Sequence, residues 1–151
     1  MKIYAGQADI HLDLYRLSNQ HRRKHGRDCD MYPSDPVQAP LWTVIASLTH
    51  ARRVLEVGCG HGYTTAVMAS AAGPKCHVDT IEENPLHANL AEQAFQERDL
   101  SRRITVLRGR GLSILPRLKG LTRLCFWTAT GANIQDTFHI SAVSRVPAAL
   151  L

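Results

Sequence analysis

A chain of 151 residues has room for one domain around one core, and 44% hydrophobic with 21% charged residues exclude a wholly disordered polymer. No apolar run is long enough to span a bilayer, and the first nine residues lack the charged-then-apolar layout of a secretory leader, so a cytoplasmic protein without membrane partners is expected. The formal net charge of +5 is densest at His21, Arg22, Arg23, Lys24 and His25; with no aromatic residues interleaved for base stacking, this stretch reads as a solvated face rather than a nucleic-acid surface.

Residues 9–25 scatter Ile10, Leu12, Leu14, Tyr15 and Leu17 among polar positions, the pattern of a loosely amphipathic helix. Gly26, Pro33 and Pro36 then interrupt regular structure. Cys29 falls near His21 and His25, yet the spacing of metal ligands is missing. The four cysteines (Cys29, Cys59, Cys76, Cys125) never form a Cys-x-x-Cys pair, so neither a disulfide framework nor a metal site is assigned. A second helix is predicted over residues 39–50 through Leu41, Trp42, Val44, Ile45 and Leu48, with Pro40 confined to its first turn. From Arg53 the pattern alternates. Strand 53–57 leads through a tight turn at 58–62 to helix 63–72, which Gly73 and Pro74 end. Strand 75–81 follows, and Asn84 with Pro85 caps a helix to about residue 98. Strand 104–107, the loop Gly109, Arg110, Gly111 and a short helix over 112–118 complete the series.

This succession predicts an α/β fold: an incomplete doubly wound, Rossmann-like parallel sheet of three βα units preceded by N-terminal helices. The chain divides into a helical segment (1–50), a ligand-binding core (51–118) and an atypical tail (119–151). Ligands of such sheets lie beyond the carboxyl ends of the strands, so the three strand-to-helix junctions are the places to seek chemistry.

At the first junction the residues run Glu56-x-Gly58-x-Gly60-x-Gly62. Glycine permits backbone angles barred to other residues and close approach of a ligand. A dinucleotide site would space its glycines G-x-G-x-x-G and seat a pyrophosphate. Here the third glycine comes one residue early, and Glu56 would repel a pyrophosphate but neutralise a cationic ligand. At the second junction Glu82 ends its strand, where a carboxylate can accept both ribose hydroxyl hydrogens; Glu83 is the adjacent alternative. At the third, Gly109, Arg110 and Gly111 offer backbone to an adenine edge.

Together the three junctions resemble the class I S-adenosylmethionine-dependent methyltransferases, with residues 54–65 as the first motif. The wider stretch from Met31 to about Leu118 is similar to the catechol and caffeoyl-CoA type of small-molecule O-methyltransferase. It shares Pro36, Val37 and Gln38 before a helix, Gly62, Tyr63 and Thr64 after the turn, Thr80, Ile81 and Glu82, then Arg103 to Val106 and Leu112 to Pro116 in the same order. The resemblance implies that Glu56 and Gly58 line the methionine end of S-adenosylmethionine and that Cys59, Gly60, Gly62 and Tyr63 also belong to the cofactor site. It implies that Thr64 holds the cofactor carboxylate, Glu82 the ribose, Gly111 and its neighbour Arg110 the adenine edge, and that Val37 touches the cofactor from the preceding segment. Arg110 departs from the acidic residue usual in the family. His61 is expected to face solvent from the turn rather than act as a base, and no catalytic residue is named.

Such enzymes also imply a divalent metal that positions a small-molecule acceptor. Its Asp-rich segment and Asp-Asn pair are absent here, where Asp136 is the one side-chain carboxylate after Leu118. Reading residues 126–131 from the third base of each codon forces Leu then Asp and permits Gly, Asp and Arg, so a frameshift near residues 119–125 is one account of the tail. The other is a divergent chain with a strand over 121–127. Nucleotide sequence through codon 151 decides between them. Exposed strand edges would then favour weak turnover and a homodimer. The competing readings are a non-catalytic cofactor-binding remnant, an NAD-dependent oxidoreductase and a nucleic-acid methyltransferase.

Overall fold

The computed structural model describes residues 11–26, 29, 31–48, 52–118 and 124–127. Helix α1 (Leu12–His25) is followed by a 3-10 turn (Pro36–Gln38) and α2 (Ala39–Leu48), then β1 (Arg53–Val57), α3 (Tyr63–Ala71) and β2 (His77–Glu82). Helix α4 (Pro85–Glu97), β3 (Ile104–Arg108), α5 (Gly111–Ile114), a 3-10 turn (Leu115–Arg117) and β4 (Leu124–Trp127) complete the series. The predicted elements recur within a few residues at each end. Within the segment after Leu118 the structure describes only this strand, Leu124–Trp127; the rest of that segment lies outside the described residues.

Local chemistry accounts for the boundaries. The Asn84 side chain accepts from the backbone N–H groups of Leu86 and His87, and Pro85 supplies a first-turn φ that needs no donor. The four basic residues Arg22, Arg23, Lys24 and His25 sit in the last turn of α1, where cations offset the negative end of the helix dipole. Arg22 to His25 are exposed, and the Arg22 guanidinium lies 4.0 Å from the centre of the Tyr32 ring. The stretch is therefore an exposed helix end.

Among the described residues the strands are all parallel, in the order β3-β2-β1-β4. Alternation along the strands divides two apolar clusters between the faces of the sheet. Val54, Val78 and Ile104 point to one face and join Leu14, Trp42, Tyr63, Val67, Met68 and Phe95 from the helices. Leu55, Val57 and Ile81 point to the other and meet Leu115, Ile114 and Leu118. Both α3 and α4 thus cover one face and the segment after β3 covers the opposite one, as right-handed crossovers require when the strand order reverses. That reversal falls between β1 and β4. It is the topological switch point, where an open α/β sheet has its binding crevice.

Candidate functional site

The turn after β1 faces this crevice with three glycines in left-handed conformations: φ is +89° at Gly58, +52° at Gly60 and +83° at Gly62. The protein's own packing also requires two of them. A Cβ on Gly62 would stand 2.4 Å from Cε1 of Phe95, and one on Gly60 would stand 3.2 Å from Cγ of Met31. At these two positions the close approach is made by the protein's own core. Gly62 also starts α3 without any side-chain cap, so the positive helix end suits an anionic group. Thr64 is buried in that first turn.

Glu56 is completely buried. The parallel register sets it opposite Thr80 on β2. The Thr80 hydroxyl donates to Glu56 Oε2 over 2.7 Å, and the Thr65 hydroxyl donates to the same oxygen. Oε1 is buried with no hydrogen-bond partner among the described residues. Burial is the main cause that pushes this carboxyl up to about 7, with the charge of Glu82 adding to it and the two hydroxyls opposing it. A carboxylate with one oxygen fixed and the other unanswered fits a cationic donor.

Glu82 ties the junctions together. Its Oε2 accepts from Gly60 N–H and its Oε1 from Asn84 N–H, each over 3.0 Å. The backbone N–H of Gly109 donates to the Glu82 carbonyl over 2.9 Å. A Cβ on Gly111 would stand 3.3 Å from Val57 Cγ1, which brings the third junction against the end of β1. Of the two adjacent acidic residues, Glu82 is buried and faces the crevice loops, while Glu83 is exposed and pairs with Arg110 over 3.5 Å. That pair is solvated on both sides and contributes little.

Cys59 is buried and its thiol lies 3.7 Å from the Gly60 carbonyl. Burial first, then the charges of Glu56 and Glu82, push the thiol well above its usual range, so it stays protonated. Tyr63 is buried against Tyr15, their ring centres 5.7 Å apart. Val37 stands on the 3-10 turn with 84% of its surface exposed. The expectation of a solvent-facing His61 is corrected: it is 91% buried, from an exposure of 9%, because its ring packs edge-on against His21 at 5.9 Å. Burial, followed by the charges of His21, His87 and Arg98, lowers it to about 4, which leaves it neutral.

Thr65 and Thr80 were not legible as site residues. A hydroxyl 24 positions from Glu56 is found only when the strand register is known. Asp136 and the region expected to carry metal ligands lie outside the described residues.

Residues 26–120, more than half of the chain, match the protein-L-isoaspartate(D-aspartate) O-methyltransferase family. The chain belongs to that family. Through that family it falls among the class I, S-adenosylmethionine-dependent methyltransferases, and the catechol-type likeness also holds. A catechol O-methyltransferase of Mycobacterium tuberculosis is 37% identical over 83 residues, 55% of this chain and 38% of that protein. A protein-L-isoaspartate O-methyltransferase of Ignicoccus hospitalis is 36% identical over 118 residues, 78% of this chain and 49% of that one. The O-methyltransferase TomG of Streptomyces achromogenes, solved with S-adenosylmethionine, superposes with a TM-score of 0.68 at 28% identity, covering 77% of this chain and 53% of its own. The chain thus spans about half the length of these relatives or less. Among the described residues no helix is long and apolar enough to cross a membrane.

Proposed function

We propose that residues 51–118 bind S-adenosylmethionine and that the protein transfers its methyl group to an oxygen acceptor. The observation that carries this reading is Glu56 Oε1, buried and unpartnered beside the glycine turn. The cofactor's ammonium group supplies the missing donor, and the uncapped start of α3 with Thr64 supplies donors for its carboxylate. Glu82 retains lone pairs for the ribose hydroxyls while its backbone bonds hold the two loops. Gly111, with Arg110 at the rim, borders the adenine, and Val37 closes over the cofactor from the 3-10 turn. The cofactor delivers a methyl group activated on sulfur; the protein's part is orientation and electrostatic fit. An NAD pyrophosphate would meet Glu56 and Glu82 with like charge.

Two acceptor classes stand in order. Kinship with catechol enzymes favours a small-molecule hydroxyl. The family match over residues 26–120 favours an isoaspartyl carboxylate as the second. We expect a cytoplasmic protein that self-associates.

Calorimetry on the full chain is the test. S-adenosylmethionine binds with one-to-one stoichiometry, and Glu82→Gln weakens it roughly tenfold to a hundredfold, the loss of a charge-assisted hydrogen bond. Tighter binding of NAD than of S-adenosylmethionine would overturn the assignment. Methyl transfer to catechol and to an isoaspartyl peptide, measured alongside, ranks the acceptors; binding with no transfer to either identifies a non-catalytic remnant.

A further inference from the structure

Three metal-ligating side chains from distant parts of the sequence converge beside the cofactor crevice. His21 on α1, Cys29 after it and His87 in the first turn of α4 place one ligand atom each within 4.8 Å of one another. Cys29 Sγ stands 3.9 Å from His87 Nε2, and both residues are buried. The His21 ring meets the His87 ring edge-on at 5.2 Å. On its far side His87 Nδ1 lies 4.0 Å from Glu82 Oε1. We propose that His21, Cys29 and His87 form a binding site for a borderline-soft divalent ion of the zinc class.

The donor set selects the ion. Two imidazoles and a thiolate suit zinc and disfavour magnesium or calcium, which require oxygen ligands. A tetrahedral ion on three protein ligands keeps one position open. His61 adjoins it: its ring is 5.9 Å from His21 and its Nδ1 is buried with no hydrogen-bond partner among the described residues. The Glu82 carboxylate behind His87 has the placement of the outer acceptor that orients a ligating imidazole. His25 stacks on His21 at 4.3 Å but is exposed and outside the trio. Sequence spacing conceals this site, because His87 comes 58 positions after Cys29.

Titration of the full chain with Co2+ alone tests the proposal independently of cofactor binding and turnover. One equivalent produces visible ligand-field bands and a near-ultraviolet thiolate-to-cobalt band, both displaced by Zn2+. Cys29→Ser abolishes the thiolate band. His21→Ala weakens binding by more than the roughly 10–100-fold that follows loss of an outer-layer partner. His25→Ala leaves the spectrum unchanged. Far-ultraviolet circular dichroism shows which variants fold, and His21, partly exposed on a helix, is the safer of the two imidazoles to remove. Absence of a stoichiometric cobalt spectrum overturns the site, as does a thiolate band that survives in Cys29→Ser. Loss of the bands in His25→Ala would equally overturn this ligand assignment.

Discussion

Glu56→Gln is expected to abolish measurable S-adenosylmethionine binding while making the protein more stable at alkaline pH. The wild-type carboxyl is fully buried and its value is raised from 4.5 to about 7. The native state therefore holds its proton more tightly than the unfolded chain does. Stability is greatest below the unfolded value, falls as pH climbs from 4.5 to about 7, and then levels. The full penalty is on the order of 3 kcal/mol. Glutamine keeps an oxygen for the Thr65 and Thr80 hydroxyls and never ionises, so the variant escapes that loss. His61 works in the opposite sense: held down to about 4, it lowers stability as pH falls from 6.5 towards 4. Urea unfolding of both proteins at pH 5 and pH 8, with calorimetry on each, checks the prediction. Equal pH dependence in the two proteins, or undiminished cofactor affinity in the variant, would sink it.

The same ionisation should govern the wild-type cofactor site. Cofactor affinity rises with pH through about 7 as Glu56 loses its proton, since a neutral carboxyl gives a cation far less. A site residue that destabilises the empty fold is expected where a charge is held ready for a ligand.

Gly62→Ala should be the most damaging small change in the glycine turn. Alanine at φ +83° is strained, and its methyl group would stand 2.4 Å from the Phe95 ring. Phe95 is 2% exposed and belongs to the main core, so the ring has little room to retreat. Backbone strain and overpacking together amount to about 2–4 kcal/mol. That is a large share of the 5–15 kcal/mol typical of a domain. Phe95→Leu has its own cost, yet Gly62→Ala in that background should cost less than in wild type, since the clash is gone. A double-mutant cycle by urea unfolding measures the coupling. Independent, additive effects would show that the ring contact is not what demands glycine.

The residues around the crevice separate what each level of description decides. The sequence alone determined the alternation of strands and helices from Arg53 onward, because period and punctuation are local properties: Gly58, Gly60, Gly62, Asn84 with Pro85, and Gly109 mark turns wherever the chain goes. It also pointed to Glu56 and Glu82, since acidic residues at strand ends of such a pattern have few other uses. Only the tertiary structure decided which strands are neighbours and where the order reverses, and hence that β1 lines the crevice. It buried Glu82 and left Glu83 exposed, and it set Phe95 and Met31 against two of the glycines. It turned His61 inward. It joined His87 to His21 and Cys29, whose proximity depends on α1 and α4 sharing one face of the sheet. Local propensity carries no information about such contacts, because packing distances are set by the whole core and not by the residues between.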